Sequence, residues 1–115
     1  MKSPITTHVL DTSRGKPAAG VSVVLEVQEK SGAWKEIGRG RTDADGRLNN
    51  LLDAGHKLRA GSHRLTFDTG SYFSSEGIRT IFLTVTIPFT INKISEHYHI
   101  PLLLNPYGYS TYRGS

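Results

Sequence analysis

Hydrophobic and polar positions alternate along most of the chain. Val21, Val23, Leu25 and Val27 fall on one side of an extended backbone, while Ser22, Glu26 and Gln28 fall on the other. A period of two marks a half-buried β-strand. Ile5 to Asp11 alternates in the same way, with Ile5, Thr7 and Val9 on one face and Thr6, His8 and Leu10 on the other. Ser13 to Pro17 reads as a turn, Ser31-Gly32 as a hairpin into a strand over 34–42, and Asp45-Gly46 as the next turn. Residues 48–60 are less regular, fitting a short strand and a loop. A strand through His63, Leu65 and Phe67 follows. Asp68 to Gly77 is the single stretch suited to a helix, short and capped by its glycine.

The longest alternation sets Ile81, Leu83, Val85, Ile87, Phe89 and Ile91 against Phe82, Thr84, Thr86, Pro88 and Thr90. Pro88 cannot donate a ladder hydrogen bond, which places this strand at a sheet edge or at a bulge. After a turn at 92–96, Tyr98, Ile100, Leu102 and Leu104 oppose His97, His99, Pro101 and Leu103. A last strand runs from Tyr107 to the end, with Ser110 and Tyr112 on one side. About eight short strands separated by turns predict an all-β sandwich, a single domain over residues 1–115.

Composition narrows the chemistry. The 115 residues carry 37% hydrophobic and 21% charged side chains, which suits one folded domain. There is no cysteine, so neither disulfides nor thiolate catalysis arise. The net charge of +4 is scattered: Arg39 and Arg41 sit between Glu36 and Asp43, and Lys57 and Arg59 follow Asp53. Without a basic cluster interleaved with aromatics, no nucleic-acid partner is expected, although small anions would be attracted. No apolar run reaches the roughly 18 residues of a membrane span. The first residues lack a secretory apolar stretch, so a cytoplasmic protein is expected.

No nucleophile elbow, phosphate-binding glycine loop or paired-cysteine motif is present. Asp43-Ala44-Asp45-Gly46 has Arg41 before it and no closing acid, so it reads as a tight turn and not a calcium loop. His97 and His99 lie two apart and therefore share a strand face, and His8 lies on the outer face of its own strand. His99 also shares a face with Pro101 and Leu103. A strand apolar on both faces needs a second contact, most simply a subunit interface. The aromatic tail, Tyr107 to Ser115, is too rich in β-formers for a disordered end. His56 and His63 read as exposed residues beside loops, Trp34 as packing, and Glu76 as a helix-end charge.

Four stretches, in order, cover essentially the whole chain: Thr6-Thr7-His8-Val9-Leu10-Asp11, Asp45-Gly46-Arg47, His97-Tyr98-His99-Ile100-Pro101-Leu102-Leu103-Leu104, and Tyr109-Ser110-Thr111-Tyr112-Arg113-Gly114-Ser115. Together they resemble the 5-hydroxyisourate hydrolases of the transthyretin-like family. The resemblance implies a transthyretin-type sandwich of two four-stranded sheets with one short helix. It also implies a homotetramer, a dimer of dimers, with active sites in the channel where the dimers meet. The implied reaction opens 5-hydroxyisourate at a carbonyl–nitrogen bond, in urate catabolism, without a cofactor or metal. The product would be 2-oxo-4-hydroxy-4-carboxy-5-ureidoimidazoline. Carried over, the catalytic set is His8, Arg47, His99 and Ser115. Tyr112 and Arg113 shape the site, and Leu10, Pro101, Leu103 and Ser110 line it. The chain departs from the family at Ile81-Phe82-Leu83, where an aromatic-aromatic-Pro run is common, and at Asn105, often Ser.

An imidazole, with an ordinary pKa of about 6.5, can take a proton from water at neutral pH. A guanidinium is permanently charged and can hold an anionic heterocycle or a developing oxyanion. Two alternatives share these residues: a transthyretin-type carrier of a small aromatic ligand, and a zinc-dependent hydrolase using His8, His97 and His99.

Overall fold

The computed structural model describes residues 3–115. Its strands are β1 (Ile5–Asp11), β2 (Lys16–Pro17), β3 (Ser22–Gln28), β4 (Trp34–Arg41), β5 (Arg47–Leu48) and β6 (Gly61–Phe67). After helix α1 (Thr69–Ser75) come β7 (Val85–Ile91), β8 (Tyr98–His99), β9 (Leu102–Asn105) and β10 (Gly108–Thr111). One sheet has the antiparallel order β4-β3-β6-β7. The other is built around β1, in the order β10-β9-β1-β2, with β5 and β8 also paired to β1. β8 and β9 both run parallel to β1 and form one interrupted strand. Counted so, β5, β1, β8/β9 and β10 make four ribbons, with β2 at the far end of β1. The sandwich expected from the alternation is what forms.

The core lies between the sheets. Val21, Val23, Leu25 and Val27 are all buried, as their spacing requires, against Ile5, Val9, Leu102 and Leu104. The irregular stretch after β5 contributes Leu51, Leu52 and Leu58 to the same core. Asp68 caps α1 by accepting from the Ser71 amide at 3.1 Å, and Gly77, at φ +69°, ends the turn after it. The helix buries Tyr72 and Phe73. Trp34 packs under the Arg64 guanidinium, 4.2 Å from its ring centre, and Glu76 pairs with Arg14.

Three expectations need correction. First, the long alternation does not begin a strand at Ile81. β7 starts at Val85 because its partner β6 ends there, at the pair Phe67↔Val85. Residues 80–83 instead bond to other elements: the Ile81 amide donates to the Pro106 carbonyl (3.1 Å), and the Leu83 carbonyl accepts from Gly70 (2.9 Å). Ile81 and Leu83 are 63% and 75% exposed as a result. Pro88 does lie on an edge strand, since among the described residues β7 pairs with β6 alone. Second, the strand over 98–104 breaks at Ile100-Pro101, where proline has no amide to give.

Third, His63 is 1% exposed and belongs to the core face with Leu65 and Phe67. Its Nδ1–H donates to the Gly61 carbonyl at 3.0 Å, and its ring lies 5.8 Å from that of Phe89. Burial, followed by the nearby charge of Arg59, pushes its pKa below the ordinary value despite the opposing Gly61 bond. The folded chain therefore binds this proton less readily than the unfolded chain. Above about pH 6.5 neither state holds it and His63 costs nothing. As the pH falls below that value, the unfolded state gains protons first and stability declines. The urea midpoint of wild type should drop more between pH 7 and pH 5 than that of His63→Phe. Parallel pH slopes for the two proteins would refute this.

Candidate functional site

The site grows from the outer face of β1. Inward-facing Ile5 and Val9 fix the strand's orientation, and parity turns Thr6, His8 and Leu10 outward. On one side β1 pairs with β5, setting His8 opposite Arg47. On the other it pairs with β8, setting Thr6 opposite His99. Farther along, Leu10 faces Leu103, which faces Ser110 on β10, so these three form a row across the sheet.

The turn before β5 positions Arg47. The Asp43 carboxylate accepts from the backbone amides of Asp45 (2.9 Å) and Arg47 (3.0 Å), an Asx-type turn. Gly46 has φ +76°, and its position lies so close to the Val9 carbonyl that a side chain would collide there. The Gly46 carbonyl accepts from the Val9 amide at 2.7 Å. This is the tight turn that the sequence suggests. It also presents the Asp45 carbonyl to His8 Nε2 at 2.9 Å. A carbonyl only accepts, so Nε2 carries the proton and Nδ1 holds the lone pair of neutral His8.

The tail supplies the remaining wall. After β10 the chain bends back, and the Gly114 amide donates to the His99 carbonyl at 2.8 Å. A Cβ on Gly114 would stand 2.6 Å from His99 Cδ2 and 3.4 Å from Pro101 Cγ. Glycine is therefore what lets the tail lie on the imidazole and on buried Pro101. The Thr6 hydroxyl, on a residue 1% exposed, lies 2.9 Å from His97 Nε2 and 2.8 Å from His99 Nδ1.

These contacts enclose a concavity of about 330 Å³ lined by Thr6, Arg47, Asn49, His97, His99 and Ser115. That size suits a small heterocycle. Of the expected set, Arg47, His99 and Ser115 meet here, and His8 stands beside Arg47 on the same sheet. Leu10, Leu103 and Ser110 continue the face. Tyr112 is exposed. Arg113 is turned elsewhere: its guanidinium lies 4.4 Å from the Tyr98 ring centre and donates to Glu96 (3.1 Å) and the His97 carbonyl (3.2 Å). It borders a different concavity, with Lys93 and Phe89, and bears on this one by anchoring the tail.

Thr6 and Asn49 were not singled out in the sequence. Each stands two residues from a chosen one, His8 and Arg47, and the spacing of two was the signal. Among the described residues no three of His, Asp, Glu or Cys are grouped to hold a metal ion.

The seating of the tail can be probed directly. Gly114→Ala should shift the His99 ring-proton resonances while changing stability by less than about 1 kcal/mol. Unmoved His99 signals would show that residue 114 does not rest on the ring.

Comparison with known proteins agrees with this architecture. The 5-hydroxyisourate hydrolase of Salmonella dublin is 49% identical over 112 residues, covering 96% of this chain and 80% of that one. The solved structure of Klebsiella pneumoniae 5-hydroxyisourate hydrolase superposes with a TM-score of 0.83 at 37% identity, covering 96% and 98% of the two chains. Sea bream transthyretin, solved in complex with thyroxine, gives 0.91 at 30% identity, covering 97% and 95%. The profile of the HIUase/Transthyretin family matches residues 5–114. The chain, an enzyme-type member of the transthyretin fold by these relatives, belongs to the HIUase/Transthyretin family.

Proposed function

We propose that this protein hydrolyses 5-hydroxyisourate in the concavity between β1, β5, β8 and the tail. One observation carries the reading: Arg47, His99 and Ser115, from three remote segments, line a single cleft, with His8 paired to Arg47. Fold likeness alone does not choose between hydrolase and carrier, since the thyroxine-bound transthyretin has the higher TM-score. The choice rests on the side chains. Two imidazoles beside a guanidinium are a proton-transfer and anion-binding set, and sequence identity is greater to the hydrolase structure, 37% against 30%.

In the reaction, a water oxygen adds to the ring carbonyl carbon, and the carbon–nitrogen bond then breaks. The carbonyl becomes a carboxylate, and the nitrogen leaves protonated as part of a ureido group, giving 2-oxo-4-hydroxy-4-carboxy-5-ureidoimidazoline. His99 and His8 orient the water and take its proton. Arg47 binds the anionic heterocycle and stabilises the oxyanion that forms on addition. Leu10, Leu103, Ser110 and Tyr112 extend the surface around the substrate.

The assembly is a homotetramer in this reading. β7 and β10 are edge strands, and Ile81, Phe82, Leu83, Tyr107, Tyr109 and Tyr112 expose apolar surface near β10 and the chain leading into β7. Unpaired edges flanked by apolar side chains favour pairing between copies.

The test generates 5-hydroxyisourate with urate oxidase and follows its ultraviolet absorbance. Wild type should speed the decay. His99→Ala and His8→Ala should each lower turnover by about 10²–10⁴-fold, the usual worth of a general base, with the tetramer intact by light scattering. A wild-type protein that leaves the decay rate unchanged, or binds thyroxine instead, would overturn the proposal.

A further inference from the structure

The buried Thr6 hydroxyl sits between two imidazoles that differ in exposure. His99 is half-buried in the wall of the concavity, whereas His97 is exposed. Both rings reach the same oxygen, His97 through Nε2 at 2.9 Å and His99 through Nδ1 at 2.8 Å. We propose that His97–Thr6–His99 is a proton relay, in which Thr6 and His97 act as positioning residues that hold the proton His99 takes from water and return it when the leaving nitrogen is protonated.

A hydroxyl has one proton to give and lone pairs to accept with, so its two neighbours are not independent. When Thr6 donates to a neutral His97 Nε2, it accepts from His99 Nδ1–H, and His99 then has its lone pair on Nε2. That is the form able to accept a proton. When Thr6 donates to His99 Nδ1, it accepts from His97 Nε2–H, and His99 carries its proton on Nε2. Reversing the hydroxyl thus converts His99 from acceptor to donor.

The proton count closes. Water gives a proton to His99 Nε2. The Nδ1 proton of His99 passes to the Thr6 oxygen, and the original Thr6 proton passes to His97 Nε2. His99 ends neutral with its proton on Nε2, and the positive charge rests on His97. When the leaving nitrogen takes the Nε2 proton the chain runs in reverse. The Thr6 proton moves to His99 Nδ1 as His97 Nε2–H protonates Thr6, and both rings return to their starting tautomers. The relay also relieves a like-charge problem. Both rings line the concavity with Arg47, but His97 is exposed and follows Glu96 in the chain, so solvent screens a charge on it more than on half-buried His99. Arg113, the other nearby cation, is paired with Glu96 and with the His97 carbonyl.

This inference rests on the hydrolase reading above, and the test separates the two. Thr6→Val keeps the shape of the side chain and removes the hydroxyl; His97→Gln changes an exposed residue. Each should lower kcat at least about tenfold, a fraction of what a general base is worth, with KM within about twofold. The double variant should be no worse than either single one, because both break the same chain. Thr6→Ser should restore kcat. The ring ¹⁵N spectrum of His99, which distinguishes the two tautomers, should change in His97→Gln but not when His97→Gln is added to Thr6→Val. Wild-type kcat in either single variant, or a His99 spectrum indifferent to His97, overturns the relay. Should wild type not hydrolyse 5-hydroxyisourate at all, the hydrolase reading fails, and the ¹⁵N response alone decides whether the rings are coupled.

Discussion

Everything at the site depends on the placement of β1 between two partners that are remote in sequence. The parallel contact with β8 and β9 brings residues as far apart as 93 positions to hydrogen-bond distance, as Thr6 and His99 show. The antiparallel contact with β5 brings the Asp45 carbonyl to His8 across 37 positions. Contacts of that span return nothing until long loops have closed, so they form only because the core beneath them is assembled from the whole chain. Ile5, Val9, Leu102 and Leu104 supply that foundation, each at most 1% exposed. The site is in this sense the outer side of a strand whose inner side holds the sandwich together.

β1 is also pinned by polar groups along its length. Near its start the Ser3 hydroxyl donates to the Ile5 carbonyl at 2.6 Å and accepts from the Leu52 amide at 3.1 Å. At its centre Thr7 donates to the Ile100 carbonyl at 2.6 Å, across the point where Pro101 interrupts the neighbouring strand. At its end the fully buried Asp11 carboxylate accepts from Ser13 and from the Tyr72 hydroxyl of α1, at 2.8 Å for the latter. Burial, and then the Asp11 carboxylate, push the Tyr72 hydroxyl up to about 12, so it remains a donor at any physiological pH. Among the described residues no buried side-chain nitrogen or oxygen lacks a partner. A strand fixed in this way can hold side chains in place on its exposed face.

How far the sequence discloses this depends on the kind of information each feature needs. The burial of Val21, Val23, Leu25 and Val27 is a local property of spacing, and it can be read directly. The start of β7 is not local. Ile81 and Leu83 continue the alternation perfectly, but β6 has no residue left to pair with them, and only the partner's length reveals that. His63 shows an opposite failure: its spacing with Leu65 and Phe67 already placed it inside, and the polarity of imidazole outweighed that signal. At the site, parity put His8 and His99 on outward faces. Thr6 and Asn49 lay on the same faces but carry no chemistry of their own, so nothing local marked them. Arg113 illustrates the limit of motif reading, for a residue beside the site in sequence spends its charge on Tyr98 and Glu96.

The three imidazoles around β1 differ in what their partners permit. His8 faces a carbonyl, which can never donate, so its tautomer is fixed and its Nε2 cannot serve as a base. Such a ring orients a neighbour well and exchanges protons only through Nδ1. His99 faces a hydroxyl, which can donate or accept, so its proton can sit on either nitrogen at the turn of one O–H bond. The same hydroxyl hands the consequence to His97 at the protein surface. On the hydrolase reading this divides the rings by partner chemistry: His8 has Nδ1 alone to offer the water, and His99 can also pass a proton on through its hydroxyl partner. Arg47 keeps a guanidinium charge in the concavity throughout, and a proton on half-buried His99 is less well screened from it by solvent than one on exposed His97.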